Sequence, residues 1–252
     1  MKTIKKALLF CVVILPISVL AGVFTYLYQI GLYSEEFMAE TIAMVGSEEM
    51  LFAITVIQTC VYALISGFFG YILAEKVGLM KSFKFEKSTL IKATLITLVT
   101  GVLFSLDYWT FGSVEPLIQT ATKDGLTLYG VLASILYGGV IEELLMRLFL
   151  MSLLVFLLWK IFYRKNTKEE IPTKIFIIAN VIVAVVFAIG HFPATITLFG
   201  GLSPLLVFRS LLLNGGFGLV FGWLYRKHGI QYAMLCHAGT HIVCKIILLL
   251  FI

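Results

Sequence analysis

The chain has 252 residues, of which 60% are hydrophobic and 13% charged, and its formal net charge is +5. So apolar a composition excludes an ordinary soluble enzyme, and the basic residues fall in short loops without the basic and aromatic array that nucleic-acid binding requires. What it predicts is an all-α, polytopic transmembrane bundle, one multi-pass membrane domain over residues 1–252 with the lipid bilayer as its surroundings.

In chain order, apolar length and loop punctuation predict spans near 7–28, 50–74, 89–107, 126–151, 173–192, 205–225 and 229–251, seven crossings in all. The first follows Lys2, Lys5 and Lys6, and its small residues Ala21 and Gly22 imitate a secretory cleavage site. Apolar character continues through Val23, Phe24 and Tyr26 to Tyr28, which favours an uncleaved helix. Glu35, Glu36, Glu40, Glu48 and Glu49 crowd the next connection and read as a wetted or interfacial segment. Placing the amino terminus in the cytoplasm puts 15 of the 19 Lys and Arg inside, leaving Lys123, Arg209 and Lys245 outside and Arg147 within the membrane. The positive-inside rule therefore predicts a cell-membrane protein with a cytoplasmic amino terminus. Cys11, Cys60, Cys236 and Cys244 lie in apolar segments without metal or disulfide spacing and read as packing residues.

The fourth span belongs to an apolar run from Leu126 to Phe162, longer than a bilayer requires, so it must tilt, kink or protrude. Gly138 and Gly139 are either its bend or a close-packing contact. Directly after them stand Glu142 and Glu143, with Arg147 four residues beyond Glu143. A charge near a bilayer centre costs roughly 2.5 to 3.5 kcal/mol, so three within six residues mark a functional site. Glu143 and Arg147 share a helical face in the order that favours an ion pair, while Glu142 points about 100° away and is free to act as a base.

Three of the four histidines also lie in apolar segments: His191, His237 and His241, the last two spaced to share a face. His228 falls in a short turn and reads as solvated. Counting residues from the connection between the fourth and fifth spans brings Glu142 and His191 to nearly the same depth. His237 is only about 13 Å above the turn that precedes it, which places the site toward the cytoplasmic half. Gly218 and Gly222 allow close helix approach, and Asn180 and Asn214 read as interhelical bridges. Cys236, about 100° away from His237 on a helix, makes a poor nucleophile.

These residues form an ordered motif set. Glu142-Glu143-Leu-Leu-Met-Arg147 resembles EExxxR, Phe187-Ala-Ile-Gly-His191 resembles FxxxH, Gly216–Gly222 resembles a small-residue motif, and His237-Ala-Gly-Thr-His241 is similar to HxxxN/D. This is the pattern of the CPBP family of intramembrane proteases, which includes type II CAAX prenyl endopeptidases and relatives linked with bacteriocin processing or self-immunity. The resemblance covers the carboxy-terminal half, a catalytic core at about 126–251. It implies that Glu142 and His191 activate water for attack on a peptide carbonyl, that His237 and His241 stabilise the oxyanion, and that Glu143 and Arg147 position the site. The partner is then a membrane-associated peptide or protein substrate, and no cofactor is required. His241 stands where the family has Asn or Asp, so His191, His237 and His241 with Glu142 also compose an acceptable zinc set as the alternative mechanism. Two other classes compete: a non-catalytic immunity or scaffold protein, and a proton-coupled transporter, although no internal repeat between halves supports the latter.

Overall fold

The computed structural model describes residues 2–252, and every regular element among them is helical. Seven helices are long and apolar enough to cross a membrane: α1 (Lys2–Leu32), α2 (Glu48–Lys76), α3 (Lys87–Val114), α4 (Leu128–Phe162), α5 (Thr173–Phe199), α6 (Pro204–His228) and α7 (Ile230–Phe251). Five of them contain a predicted span whole, while α4 and α7 begin two residues and one residue later than predicted. The chain is thus a multi-pass, all-helical protein of membrane type.

Small residues decide which helices touch. In an apolar solvent there is little hydrophobic gain from helix association, so packing depends on close backbone approach. A Cβ on Gly22 of α1 would stand 2.7 Å from the Val56 Cα of α2, and one on Gly70 of α2 would stand 2.9 Å from the Leu148 carbonyl carbon of α4. On the other side of the bundle, Gly101 of α3 leaves room for Val243 of α7, and the Thr100 and Thr240 hydroxyls hydrogen-bond at 2.6 Å. The outward faces of α1 to α3 are lined with exposed Leu, Ile, Val and Phe, as a lipid-facing surface requires.

Side-chain ties define the two ends. The basic end carries the Lys6–Glu75 ion pair, and Arg226 there donates to the Thr173 hydroxyl. Its 77–86 connection is folded under α7: Val77 and Leu79 are buried in the core, Gln231 donates to the carbonyls of Ser82 and Lys84, and the Tyr232 hydroxyl accepts from the Glu86 amide. The tight turn into α7 uses Gly229 at φ 110°, a left-handed conformation that favours glycine. The acidic end carries the Glu-rich connection as a separate helix, Glu35–Val45, with no buried residue, as a wetted segment should. Ser34 caps that helix and Ser47 caps α2, each accepting from a backbone amide three residues on.

Candidate active site

Gly138 and Gly139 resolve in favour of close packing. A Cβ on Gly139 would collide with Ala238 of α7, and one on Gly138 would lie 3.2 Å from His241 Nε2. The same stretch of α4 adopts wide π-type turns over Ser134–Glu142 and Leu144–Met151, a backbone form concentrated at functional sites. Glycine contact and widened turns together press the acidic segment of α4 against α7.

Glu143 and Arg147 form the expected pair, at 2.9 Å and with both side chains wholly buried. Arg147 also donates to the Gly218 carbonyl at 3.2 Å, and its guanidinium lies 4.7 Å from the Phe187 ring centre and 5.5 Å from that of Phe221. Gly218 is small for this reason: a Cβ there would lie 3.3 Å from the guanidinium. Two aromatic faces, a carboxylate and a carbonyl thus replace the water this cation has lost. The pair is not saturated, since Glu143 Oε2 and Arg147 Nε have no hydrogen-bond partner.

Glu143 has a second role that sequence reasoning missed, because its Oε1 also lies 2.8 Å from His237 Nδ1. A carboxylate can only accept, so Nδ1 carries the proton and Nε2 is turned toward Glu142, 3.8 Å from Oε2. Phe221 stacks on the His237 ring at 4.6 Å, and His241 stacks on its other side at 5.2 Å. Only helix packing reveals this contact, since Glu143 and His237 are 94 residues apart.

His191 sits where α5 breaks. Thr173–Gly190 ends at His191, and the next helical piece, Phe192–Phe199, has Pro193 in its first turn. His191 Nδ1 donates to the Phe187 carbonyl at 2.8 Å, which leaves a lone pair on Nε2. Glu142, His191, His237 and His241 all line one cavity of about 450 Å³, so the structure brings the four sequence-predicted residues to one wall-bounded space. Glu143 and Arg147 lie behind that wall, wholly buried. Among the described residues no three His, Cys, Asp or Glu side chains converge as a metal-binding group in this structure.

The remaining candidates separate cleanly. Asn180 bridges α5 to α6 by donating to the Leu219 carbonyl at 2.9 Å, in a space that a side chain on Gly222 would fill. Asn214 does not bridge helices; it bonds Ser210 on its own helix at 3.1 Å and faces the cavity. Cys236 is fully buried in the core cluster.

The cavity lies toward the acidic end, not toward the basic half in which the turn distance placed the site. The cavity is lined by the acidic-end portions of the helices, including Tyr28, Tyr33, Phe104, Asp107, Tyr108, Leu126 and Lys245, and none of its lining comes from the basic end. A site opening toward the lysine-rich, cytoplasm-assigned half is therefore not what forms. At the basic end the 77–86 connection is instead bonded to Gln231 of α7, and the short distance from His237 to its turn measures depth along one helix only. At the acidic end, Asp107 and Arg209 form a two-point ion pair from α3 to α6, another feature the sequence reading passed over. An acid at the edge of the apolar third span was the available signal.

Comparison with curated proteins and with solved structures finds no match. Residues 124–243 match the family model described as type II CAAX prenyl endopeptidase Rce1-like. The matched stretch holds Glu142, Glu143, Arg147, His191, His237 and His241, the residues that carry the resemblance to the CPBP family.

Proposed function

We propose that this protein is an intramembrane endopeptidase in which Glu142 and His191 activate a water molecule without a metal. The observation that carries the reading is the shared cavity wall: a half-buried carboxylate, Glu142, and an imidazole whose Nε2 lone pair is left open by the Nδ1 bond to Phe187. The water oxygen adds to the peptide carbonyl carbon while Glu142 takes its proton, and Glu142 returns that proton to the leaving nitrogen as the carbon–nitrogen bond breaks. The products are a carboxylic acid and an amine, which exchange a proton to become carboxylate and ammonium, and no covalent intermediate is needed.

His237 and His241 are the oxyanion donors in this reading. His241 donates as a neutral ring; His237, with Nδ1–H already given to Glu143, donates from Nε2 only when the ring carries both protons. Each donor is worth about 2.7 to 4 kcal/mol by analogy with other oxyanion sites. Glu143 and Arg147 act through His237 and are positioning residues.

The substrate is a peptide or membrane-protein segment, in a setting of peptide processing or self-immunity as the family resemblance implies. With the amino terminus in the cytoplasm, the charge distribution turns the cavity mouth to the outer face, and substrate enters from there. Peptidomics of membranes from cells bearing wild type or Glu142→Ala tests the reading: substrates accumulate and products vanish in the variant. Identical peptide profiles from equally abundant proteins refute it.

A further inference from the structure

Lys245 lines the same cavity two turns beyond His237 on α7 and one turn beyond His241. Its ammonium donates to the Gly125 carbonyl at 3.3 Å, and among the described residues no carboxylate lies within ion-pair distance of it. The other cation in the cavity, Arg209, is already matched in two-point fashion to Asp107. An ammonium has three donors and here satisfies one on protein. Lys245 is therefore the unmatched charge of a partly closed, low-dielectric space, and its natural complement is an anion brought in from outside.

We propose that Lys245 is a carboxylate-binding subsite for the substrate, a reading that rests on the endopeptidase assignment of the cavity. Eight residues of helix separate it from His237, a rise of about 12 Å, which three or four residues of extended peptide span. A peptide carbonyl held at His237 and His241 thus places a carboxylate a few residues away on the ammonium, where a charge-assisted hydrogen bond forms. That carboxylate is either the free carboxy terminus of the substrate or an Asp or Glu side chain at that position. The subsite fixes register, which the apolar remainder of the cavity wall cannot do.

The test uses full-length protein with Glu142→Gln, so that binding is read without turnover, and an amino-terminally fluorescein-labelled library of apolar heptapeptides in free-acid and amidated forms. The free acids bind about 10- to 100-fold tighter than the amides. Adding Lys245→Gln, which keeps a donor for Gly125 but removes the charge, reduces the difference to about threefold or less, while Lys245→Arg preserves it. In the Glu142 background, Lys245→Gln raises KM and leaves kcat little changed. Amidated peptides with Asp at each of the last four positions separate the two sources: recovered, Lys245-dependent affinity at one position assigns a side-chain carboxylate, and no recovery assigns the terminus. Equal binding of acids, amides and Asp peptides, unaffected by Lys245→Gln, overturns the subsite and leaves the protease standing. Failure of every peptide to bind Glu142→Gln, with no hydrolysis by the wild type, refutes the endopeptidase reading itself.

Discussion

Two arginine–carboxylate pairs flank one cavity, one buried behind its wall and one in its lining, and they are built differently. Glu143–Arg147 lies within one helix, is wholly buried and meets at a single oxygen, which it shares with His237. Asp107–Arg209 joins two helices across 102 residues of sequence, meets at two oxygens and leaves only its arginine partly exposed. A pair built only for stability would have the geometry of the second, since two aligned hydrogen bonds best offset desolvation. The first gives up that alignment and gains a carboxylate oxygen for an imidazole that faces the reacting space. Under the proposed mechanism the first pair, the floor, serves the chemistry and the second, the mouth, holds helices together.

That contrast breaks first at the floor. Glu142→Gln and His191→Ala each lower peptide hydrolysis by about 10²- to 10⁴-fold with no loss of folded protein, because each removes water activation and not packing. Assayed turnover within tenfold of wild type in both variants sinks the glutamate mechanism. Arg147→Ala comes next and acts on folding as well as activity, since it strands Glu143 at full burial and empties the space between Phe187 and Phe221. Breaking a buried pair in this way costs about 3 to 5 kcal/mol, to be read as a lower midpoint in thermal unfolding in detergent. A stable and active Arg147→Ala removes the claim that this pair positions His237 and holds the floor together.

The two pairs also divide what was legible from what was not. The helices, their number and their spans follow from apolar length, because a bilayer imposes that length on any helix that crosses it. Glu143–Arg147 was legible because four-residue spacing is a property of a single helix. Glu143–His237 and Asp107–Arg209 required knowing which faces of distant helices meet, and that is set by glycines at positions such as 139 and 218, whose effect depends on their neighbours in three dimensions. Access failed for a related reason. Depth along a helix is local arithmetic, whereas the packing of residues 77–86 against α7 is a tertiary contact.

A third experiment sharpens the role of the histidine stack at the floor. His241→Ala lowers activity by about 10²- to 10³-fold if the ring donates to the oxyanion, and His241→Asn, which restores a donor, keeps most of it. Zinc ligation reverses the second outcome. A dead His241→Asn, with about one zinc per purified chain and activity lost to a chelator and restored by metal, replaces the glutamate mechanism with a zinc one.

The smallest effect is expected at the mouth. Asp107→Asn and Arg209→Gln each remove one partner of an aligned but partly hydrated pair, so each costs about 1.5 to 3 kcal/mol, less than Arg147→Ala at the floor. The double variant recovers part of that loss, because neither partner is then left as an unpaired charge, and the non-additivity in a double-mutant cycle measures the pair itself. The effect on kcat is slight, since neither group touches the residues that line the reacting end. Two results would erase the distinction between floor and mouth: additive costs in the cycle, which deny the pair any coupling, or a loss of kcat in Asp107→Asn as large as that in His241→Ala. The second would make Arg209, released from its carboxylate, a participant in the chemistry and not a tie between α3 and α6.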